Sequence, residues 1–416
     1  MKFSVRGRTL LGAALLSTLL LACGDDGNPQ TDPPDAGVDA GPDPLLPGIA
    51  MLTDLERVVD VTSDGRTVLF WKQSNGELYF YDVATGNLEI QTTLDTEELQ
   101  NQQPHAMSDV GHIVAGYGVR PEAASRWDAA NGWQKLKSPV GPCHIDPDMP
   151  DLTATGSAFG VTPDGKGVVG LLWEAGCKTQ AFIWKDTGGD GTMIPLQKVG
   201  RGSIQSERAS VISANGKVAA GFAPDVVGEF NIDRAPAVWK DDGTGFLLLP
   251  NQTDGNPGEV KAISADGKIL AGMWASADPN EVAFGGTTGF TWTEETGLVR
   301  FSSSTPASDQ IVMNAMSADG KYLYGLLTHF LDPTDFFSAS EISAFVWNKD
   351  KGMRNLQEVA IGAGISMPAN HFLTNVMAVS ADGRVVVGTA GIPPEDPNTG
   401  FPTEKLFVLV LPEGAL

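Results

Sequence analysis

"VKAISADGKILAG", residues 260–272, sets two apolar runs on either side of a tight turn. Ser, Asp and Gly at its centre are typical of a type I turn that ends on a glycine with positive φ, and the flanking residues suit strands. The stretch therefore predicts a β-hairpin. The chain repeats it closely as "VMNAMSADGKYLYG" at 312–325 and "VMAVSADGRVVVG" at 376–388, which indicates a repeat architecture.

Seven turns along the chain share a Ser or Thr that stands three residues before a Gly. These glycines are Gly65, Gly111, Gly165, Gly216, Gly267, Gly320 and Gly383. The second copy, "SDVG", is shifted, and we expect its turn to differ. In six copies another Gly follows five residues later: Gly116, Gly170, Gly221, Gly272, Gly325 and Gly388. The first copy has Phe70 there. The second glycine predicts a strand that bends or closely approaches another backbone.

A third element carries two aromatic places two residues apart, as in "AFIW" at 181–184 and "AFVW" at 344–347. Residues two apart share one face of a strand, so this regularity favours packing in the core. Five copies end this element with a tryptophan: Trp127, Trp184, Trp239, Trp292 and Trp347. A fourth element follows the pattern Gly, three residues, then a large apolar residue.

Each repeat therefore reads as four short antiparallel strands, with no helical pattern. The aligned turn glycines are 46, 54, 51, 51, 53 and 63 residues apart. One such sheet cannot bury both of its faces alone, whereas seven sheets packed around an axis can. The sequence predicts an all-β fold, a seven-bladed β-propeller of four-stranded antiparallel blades.

The seventh repeat supplies only three strands. "GIAML" at 48–52 has the pattern of the fourth element and precedes the first repeat. We predict that this N-terminal strand completes the last blade by pairing with the strand around residues 406–410. Such pairing would cover an edge that is otherwise exposed.

The order "SADG…VVG", a gap, then "AFVW…G…L" resembles the extracellular HAF-type repeat, named for its His/Ala-Ala-Phe element. It is similar, more weakly, to the SPDG-type repeats of TolB-like propellers. The resemblance covers residues 57–416. It implies an exported propeller-like protein without an assigned reaction, and it carries over no catalytic residue.

The N-terminus is typical of a targeting segment. Basic residues Lys2, Arg6 and Arg8 precede an apolar stretch that is short for a membrane span and ends in "LLAC" at 20–23. This resembles the bacterial lipoprotein signal, with Cys23 as the acylated residue; an ordinary secretory signal with a buried Cys is the alternative. We therefore expect an exported protein of the cell envelope, anchored by lipid at the outer membrane or cell surface.

Three domains follow from these observations. Residues 1–22 form the signal peptide, residues 23–46 the acylated Cys and a disordered acidic tether, and residues 47–416 the propeller. The tether is rich in Asp, Pro and Gly, so it cannot bury enough apolar surface to offset its chain entropy. A Ca²⁺-binding loop is the alternative for the tether, although its Gly-x-Asp spacing is irregular.

The net charge is −23, and cleavage before Cys23 would remove three cations and no acid, giving −26. Such a surface repels phosphate backbones, which argues against nucleic acid as a partner. We expect a monomer that contacts the membrane only through its lipid, binds a protein or a glycan, and needs no cofactor.

In a propeller, the gaps between second and third strands lie on one face together with the links between blades. The longest gaps are 327–343 and 389–405, and long irregular loops in a compact domain are commonly functional. We therefore expect any binding surface there. The candidate contacts are Phe330, Asp332, Asp335, Phe336, Phe337, Glu395 and Asp396. The alternative is that the aromatic side chains only pack the loop on itself.

Cys143 and Cys177 fall on this same face, one in the link between blades two and three and the other in a gap of blade three. An exported protein with one such pair is expected to oxidise it to a disulfide, although two separate buried thiols are possible. The stretch that follows Cys143 carries weak candidate metal ligands: Asp146, Asp148 and Asp151. It lacks the Gly bend and closing Glu of a Ca²⁺ loop, so a solvated acidic loop is the alternative.

The sequence contains no HExxH, no Gly-x-Ser-x-Gly and no Walker loop. This lowers the expectation of an enzyme without excluding one, since propeller enzymes can assemble their sites from distant loops. The alternative to a binding module is a lyase or hydrolase that acts on a polymer with a metal in the central channel. Convergent carboxylates or histidines in the channel would favour the enzyme, and an exposed apolar patch on the loop face would favour binding.

Overall fold

The structure is a computed structural model, and it describes residues 44–92, 102–119, 122–144, 153–174, 176–201, 206–226, 232–248, 258–276, 278, 280, 282–283, 286–335, 339–393 and 402–416. The predicted signal peptide and nearly all of the predicted tether lie outside these residues. The described part of the chain contains seven sheets, each built around four antiparallel strands, which confirms the predicted seven-bladed propeller.

Blades 1 to 4 take their strands in chain order. Blade 1 consists of β2 (Arg57–Val61), β3 (Thr67–Lys72), β4 (Glu77–Asp82) and β5 (Leu88–Gln91). Blade 2 consists of β6 (Gln103–Met107), β7 (Val114–Val119), β8 (Glu122–Asp128) and β9 (Gly132–Lys135), with the short strands β10 (Cys143–His144) and β11 (Thr153–Ala154) added beside β8. Blade 3 consists of β12 (Gly156–Val161), β13 (Gly167–Glu174), β14 (Lys178–Lys185) and β15 (Thr192–Pro195). Blade 4 consists of β16 (Arg208–Ile212), β17 (Val218–Val226), β18 (Ile232–Lys240) and β19 (Gly245–Leu247).

Blades 5 and 6 repeat this order, and blade 7 differs. Blade 5 consists of β20 (Gly258–Ile263), β21 (Leu270–Ala275), β22 (Thr287–Thr293) and β23 (Gly297–Phe301). Blade 6 consists of β24 (Asp309–Met316), β25 (Leu323–Phe330), β26 (Ser340–Asn348) and β27 (Gly352–Asn355). Blade 7 consists of β28 (Phe372–Val379), β29 (Val385–Ile392), β30 (Thr403–Val410) and β1 (Gly48–Leu52).

The ring closes as predicted. Strand β1 pairs antiparallel with β30, from Gly48 opposite Val410 to Leu52 opposite Leu406. The N-terminal strand of the propeller therefore completes blade 7, whose other three strands come from the C-terminal end of the chain. This pairing holds blades 1 and 7 together through the chain itself and covers the outer edge of β30.

One helix was not predicted. Helix α1 (Leu356–Gly362) lies in the link between blades 6 and 7, and a 3₁₀ turn (Pro306–Ser308) lies in the link before blade 6. The side chain of Asn355 caps α1 by accepting from the backbone N–H groups of Gln357 and Glu358. Only Leu356 and Ala360 are buried on it, and two apolar positions are too few for sequence periodicity to indicate a helix.

Six of the seven turns are built by one hydrogen-bond pattern. In blade 5, Ser264 Oγ donates to Asp266 Oδ1 at 2.8 Å and accepts from the backbone N–H of Ile269 at 2.9 Å. The Asp266 carboxylate in turn accepts from the N–H of Lys268. The closing glycine, Gly267, has a φ of 78°. The second copy differs as expected, because its Ser hydroxyl donates to the carbonyl of Val110 instead of to a carboxylate.

Hydrogen bonds also link the turns of neighbouring blades. The donor N–H belongs to the second turn residue of one blade and the acceptor to the next blade: Ala214 to Ala265, Ala265 to Ala318, Ala318 to Ala381, Ala381 to Ser63, Ser63 to the Asp109 carboxylate, and Asp109 to Pro163. These bonds cross the closing junction between blades 7 and 1. They stop at Pro163, because proline has no N–H to donate to blade 4.

Every innermost strand contains a β-bulge at the same place, one residue beyond the position opposite the second glycine. The bulged residues are Val59, His105, Phe159, Ser210, Lys261, Asn314 and Met377. The bulge brings the two backbones close together. A Cβ on Gly170, for example, would lie 2.0 Å from the carbonyl oxygen of Ser157, which is why glycine stands at this place in six blades.

The core lies between the blades. Seven apolar clusters in the described part of the chain each join two neighbouring blades, including blades 7 and 1. The repeated tryptophans contribute to these clusters: Trp127 stacks on Phe80 of blade 1, and Trp347 stacks on Phe301 of blade 5. Trp127, Trp184 and Trp239 are buried and the other two are half-buried, so the predicted packing role is confirmed.

The predicted disulfide is present. Cys143 and Cys177 are bonded, with their Cα atoms 5.0 Å apart. The bond ties β10, beside blade 2, to the turn between β13 and β14 of blade 3. It therefore crosses a junction between two blades on the face that the sequence indicated.

Candidate binding sites on the loop face and in the channel

The face that carries the links between blades and the loops between second and third strands is called the loop face here. Its long loops are shorter than predicted. Strand β25 runs on to Phe330 and β26 begins at Ser340, so the predicted gap 327–343 is partly strand. Likewise β29 runs to Ile392 and β30 begins at Thr403. The second and third strands continue to pair beyond the glycine, which sequence alone did not indicate.

The candidate contact residues differ in their burial and in their hydrogen bonds, and some lie outside the described residues. Phe330 is buried, which fits the packing interpretation that the sequence left open. Asp332 accepts from the hydroxyl and the backbone N–H of Thr334, and these hydrogen bonds lower its pKa. The N–H of Asp335 donates to the carbonyl of Asp332, so both acids belong to a local turn. The remaining candidates lie outside the described residues: Phe336, Phe337, Glu395, Asp396, Asp146, Asp148 and Asp151.

A groove with a volume of about 1100 Å³ lies between blades 6 and 7 on the loop face. Its walls come from the link before blade 6, the facing ends of β25 and β26, β27 with helix α1, and the start of β28. Two aliphatic side chains on this groove are exposed to solvent, Ile342 by 42% and Ile361 by 53%. Leu331, in the loop after β25, is 59% exposed. The loop face therefore carries exposed aliphatic side chains, two of which line the groove.

A histidine–aspartate pair forms one wall of this groove. His329 Nδ1 lies 2.6 Å from Asp309 Oδ1. The other carboxylate oxygen of Asp309 accepts from Thr305 Oγ1 at 2.8 Å and from Ser303 Oγ. Asp309 is buried and fully engaged, so it fixes the orientation of the half-exposed His329 ring. Glu341 stands opposite His329 in the strand pairing and is exposed at the edge of the groove.

A second cavity, with a volume of about 510 Å³, lies inside the ring of innermost strands. All seven bulged residues line it, so the bulge is what turns these side chains toward the channel. Three cationic side chains line it as well: Arg57 from blade 1, Arg208 from blade 4 and Lys261 from blade 5. Sequence reasoning missed these residues, although each stands eight or six positions before a turn glycine.

One buried carboxylate, that of Glu259, forms ion pairs with several cations in and beside the channel. Glu259 Oε1 lies 2.6 Å from Lys261 Nζ, and its Oε2 lies 3.3 Å from Arg208 and 3.7 Å from Arg234. The Arg208 guanidinium also stacks between the rings of Phe159 and Phe222, and burial lowers its pKa. Arg208 is therefore held in a fixed orientation at the channel wall.

His105 lies on the channel wall beside Phe159, the ring on which Arg208 also packs. Its ring stacks on Tyr117 at 5.2 Å and packs on Phe159 at 4.8 Å. Burial, together with the charges of Arg57, Arg208 and Lys261, lowers the pKa of His105 to about 4. The imidazole is therefore neutral at pH 7. Its Nε2 atom is buried and has no hydrogen-bond partner in the described part of the chain.

Asp60 also lines the channel, and its role is structural. Its carboxylate accepts from the backbone N–H of Val61 at 2.8 Å and from that of Met107 at 2.9 Å. It thereby links blade 1 to blade 2. Burial raises its pKa to about 6, so most of this carboxyl is ionised at pH 7.

Among the described residues, no cluster of three or more His, Cys, Asp or Glu side chains is placed to hold a metal ion. The described channel wall is rich in cations, which would repel a metal. Among those same residues, none of the helices has the length and apolar character needed to cross a bilayer.

No family model matches the sequence, and the curated proteins include no match. The solved structures, in contrast, include proteins that are similar to this chain. A prolyl endopeptidase structure is similar with a TM-score of 0.51 and 13% identity, over 88% of this chain and 50% of that one. The β-propeller domain of Cps50 (Swd1) from Myceliophteria thermophila has a TM-score of 0.48 and 10% identity, over 88% and 100%. TolB from Acinetobacter baumannii has a TM-score of 0.38 and 12% identity, over 88% and 96%. At these identities the likeness concerns the fold alone: the chain is a β-propeller.

Proposed function

We propose that this chain is an exported, lipid-anchored β-propeller that binds a partner protein through the groove between blades 6 and 7. The observation that carries the proposal is the pair of exposed isoleucines, Ile342 and Ile361, on one open groove of the loop face. Exposed aliphatic side chains grouped beside a concave surface are typical of interaction sites.

The groove suits a protein segment better than a glycan. Sugar rings stack on exposed aromatic faces, but the aromatic side chains that line the groove, Phe345 and Phe372, are buried and half-buried. Among the described large hydrophobic side chains, the exposed aromatic one is Phe246, and it lies on blade 4. Aliphatic contacts favour apolar side chains of a partner. The exposed carboxylates Glu341 and Glu358 at the groove favour basic residues on the partner segment.

The anchor is proposed from the N-terminal sequence, with Cys23 as the acylated residue, residues 1–22 as the signal and residues 23–46 as the tether. The repeats are proposed to be of the HAF type on the basis of "AFVW" and its relatives. A tethered propeller of this kind would present its loop face to partners in the envelope. Replacement of Cys23 by Ser is expected to move the protein from the detergent phase to the aqueous phase in Triton X-114 partitioning.

The test of the groove compares three substitutions of one kind. Ile342→Glu and Ile361→Glu place a charge on the groove, and Ile90→Glu does the same on the outer strand of blade 1, where Ile90 is 51% exposed. The three variants and the wild type are expressed at native level in the source cells, cross-linked, and purified, and captured proteins are quantified by mass spectrometry. Circular dichroism checks that each variant is folded.

We expect one partner to be captured by the wild type and by Ile90→Glu, and to be reduced at least tenfold in both groove variants, since each buried aliphatic side chain contributes about 1.5–3 kcal/mol. Equal capture by all four proteins would refute the groove as the binding site. The capture of a defined glycan, retained by both groove variants, would refute a protein partner at this surface.

A further inference from the structure

The channel inside the innermost strands holds more positive than negative charge. Arg57, Arg208, Arg234 and Lys261 lie in or beside it, against the carboxylates of Glu259 and Asp60. Four cations against two carboxylates leave a surplus of two positive charges at pH 7. The chain as a whole has a net charge of −23, so this concentration of cations is opposite in sign to the rest of the molecule.

The two carboxylates do not neutralise the channel locally. Glu259 is shared among Arg208, Arg234 and Lys261, and Asp60 uses both of its oxygens for backbone N–H groups. Among the described residues, no carboxylate lies within ion-pair distance of Arg57, whose guanidinium stacks on the ring of Trp71 at 5.9 Å. Cations held together in a concave, partly desolvated place constitute an attractive field for an anion.

A neutral side chain, His105, lies at the wall of the same space. The buried Nε2 of His105 lacks a partner in the described part of the chain, and the His105 side chain lines the cavity. A buried polar atom without a partner costs free energy unless something binds it. Ser210, whose hydroxyl accepts from Arg208 Nε, and Asn314, whose amide donates to Asn375 and Val376, add polar groups to the wall at the bulged positions of blades 4 and 6. Cations and neutral polar groups therefore converge from at least five blades.

We propose that the channel binds a small anion that carries two or more acidic groups, either carboxylates or phosphates. The single carboxylate of Glu259 already engages Arg208 and Lys261, and Arg57 lines the cavity from blade 1, so we expect a ligand that reaches all three cations to carry more than one acidic group. The cavity volume of about 510 Å³ fits a small molecule. This site is separate from the groove between blades 6 and 7, and the proposal does not depend on the proposed function.

The experiment is a calorimetric titration of the purified protein at low ionic strength with two probes, citrate and inorganic pyrophosphate. Arg57→Gln and Lys261→Gln each remove one channel cation. Lys135→Gln removes the same charge from the exposed outer strand of blade 2 and is the matched control. We expect saturable binding of at least one probe, weakened about tenfold or more by each channel substitution and less than twofold by the control.

A second measurement uses His105 as a reporter. The pKa of His105, followed by NMR of the labelled imidazole, is expected to rise by about one unit or more when the better probe is bound, because the anion offsets the cations around the ring. If citrate alone binds, the ligand class is carboxylate, and if pyrophosphate alone binds, it is phosphate. Binding of neither probe, binding that Lys135→Gln weakens as much as the channel variants do, or an unchanged pKa of His105 at saturation would overturn the proposal.

Discussion

Replacement of Gly170 by Ala tests whether the bulge beside the channel is the reason for the second glycine of the repeat. Gly170 lies in β13 opposite Ala158, next to the bulged Phe159. A Cβ at this place would lie 2.0 Å from the carbonyl oxygen of Ser157 and 2.8 Å from Cε1 of Phe182. Cβ atoms essentially never approach another heavy atom closer than 3.0 Å, so β12 and β13 would have to separate locally by about 1 Å.

The cost has two parts. Separation of the strands weakens the hydrogen bonds on either side of the bulge, at about 1 kcal/mol each. The ring of Phe182, which is fully buried between blades 2 and 3, must also move, and overpacking of a core costs typically 1–3 kcal/mol. We therefore expect Gly170→Ala to lower the free energy of unfolding by roughly 2–4 kcal/mol.

The assay is equilibrium unfolding in urea, followed by tryptophan fluorescence. Gly48→Ala is the matched control, because Gly48 is a strand glycine with no atom within 4 Å of the place its Cβ would occupy. This control is expected to stay within about 0.5 kcal/mol of the wild type. If Gly170→Ala is as stable as the wild type, or if Gly48→Ala loses as much stability, close approach at the bulge does not explain the glycine.

Three further predictions concern the turns, the channel and the disulfide. Ser264→Ala removes the acceptor of the partly buried Ile269 N–H and is expected to lower the free energy of unfolding in urea by about 1–2 kcal/mol. Ser264→Thr keeps the hydroxyl, as the threonines of two other turns do, and should lower it by less than half of that amount. The native pKa of His105, about 4, lies below its unfolded value of 6.5. The contribution of the neutral His105 to the free energy of unfolding is therefore fully present above pH 6.5 and is lost as the pH falls toward 4. The stability difference between wild type and His105→Gln should accordingly fall by about 1.4 kcal/mol per pH unit in that window, and a difference that is constant with pH would contradict the assigned burial. Reduction of the Cys143–Cys177 bond, 34 residues apart in sequence, should lower the free energy of unfolding by about 3–4 kcal/mol, and a Cys143→Ala/Cys177→Ala variant should be unaffected by the reductant.

The architecture was predictable because the same local chemistry recurs seven times. A Ser or Thr, an Asp or Asn and a Gly define each turn through hydrogen bonds between neighbouring residues, and local bonds of this kind leave a signature in sequence. The closing strand 48–52 was predictable for the same reason, since it is the missing member of a repeated set. The disulfide followed from the positions that the repeat gave to Cys143 and Cys177.

The channel was not predictable from strand alternation. A bulge adds one residue to the innermost strand, so the simple rule that alternate side chains share a face fails where Lys261 and His105 turn toward the axis. For the groove, the sequence predicts only the face of the propeller on which it lies. Its wall includes helix α1, which is too short to leave a periodic pattern. It also includes the strand ends around Ile342, which the sequence pattern predicts as loop.

The repeat itself explains where this chain is free to carry a function. The turn hydroxyl, the turn glycine and the second glycine are each required by a hydrogen bond or a close contact, and they hardly vary between blades. The bulged position is different. Its seven side chains are Val, His, Phe, Ser, Lys, Asn and Met, although the backbone around them is the same. This position borders an open channel, where size and polarity are less restricted than in the packed core, so its side chain can change without loss of the fold. The same freedom applies to Ile342 and Ile361 on the groove. The two proposed sites therefore lie at positions that the scaffold leaves variable, and the cations of the channel and the aliphatic side chains of the groove have chemistry suited to two different ligands.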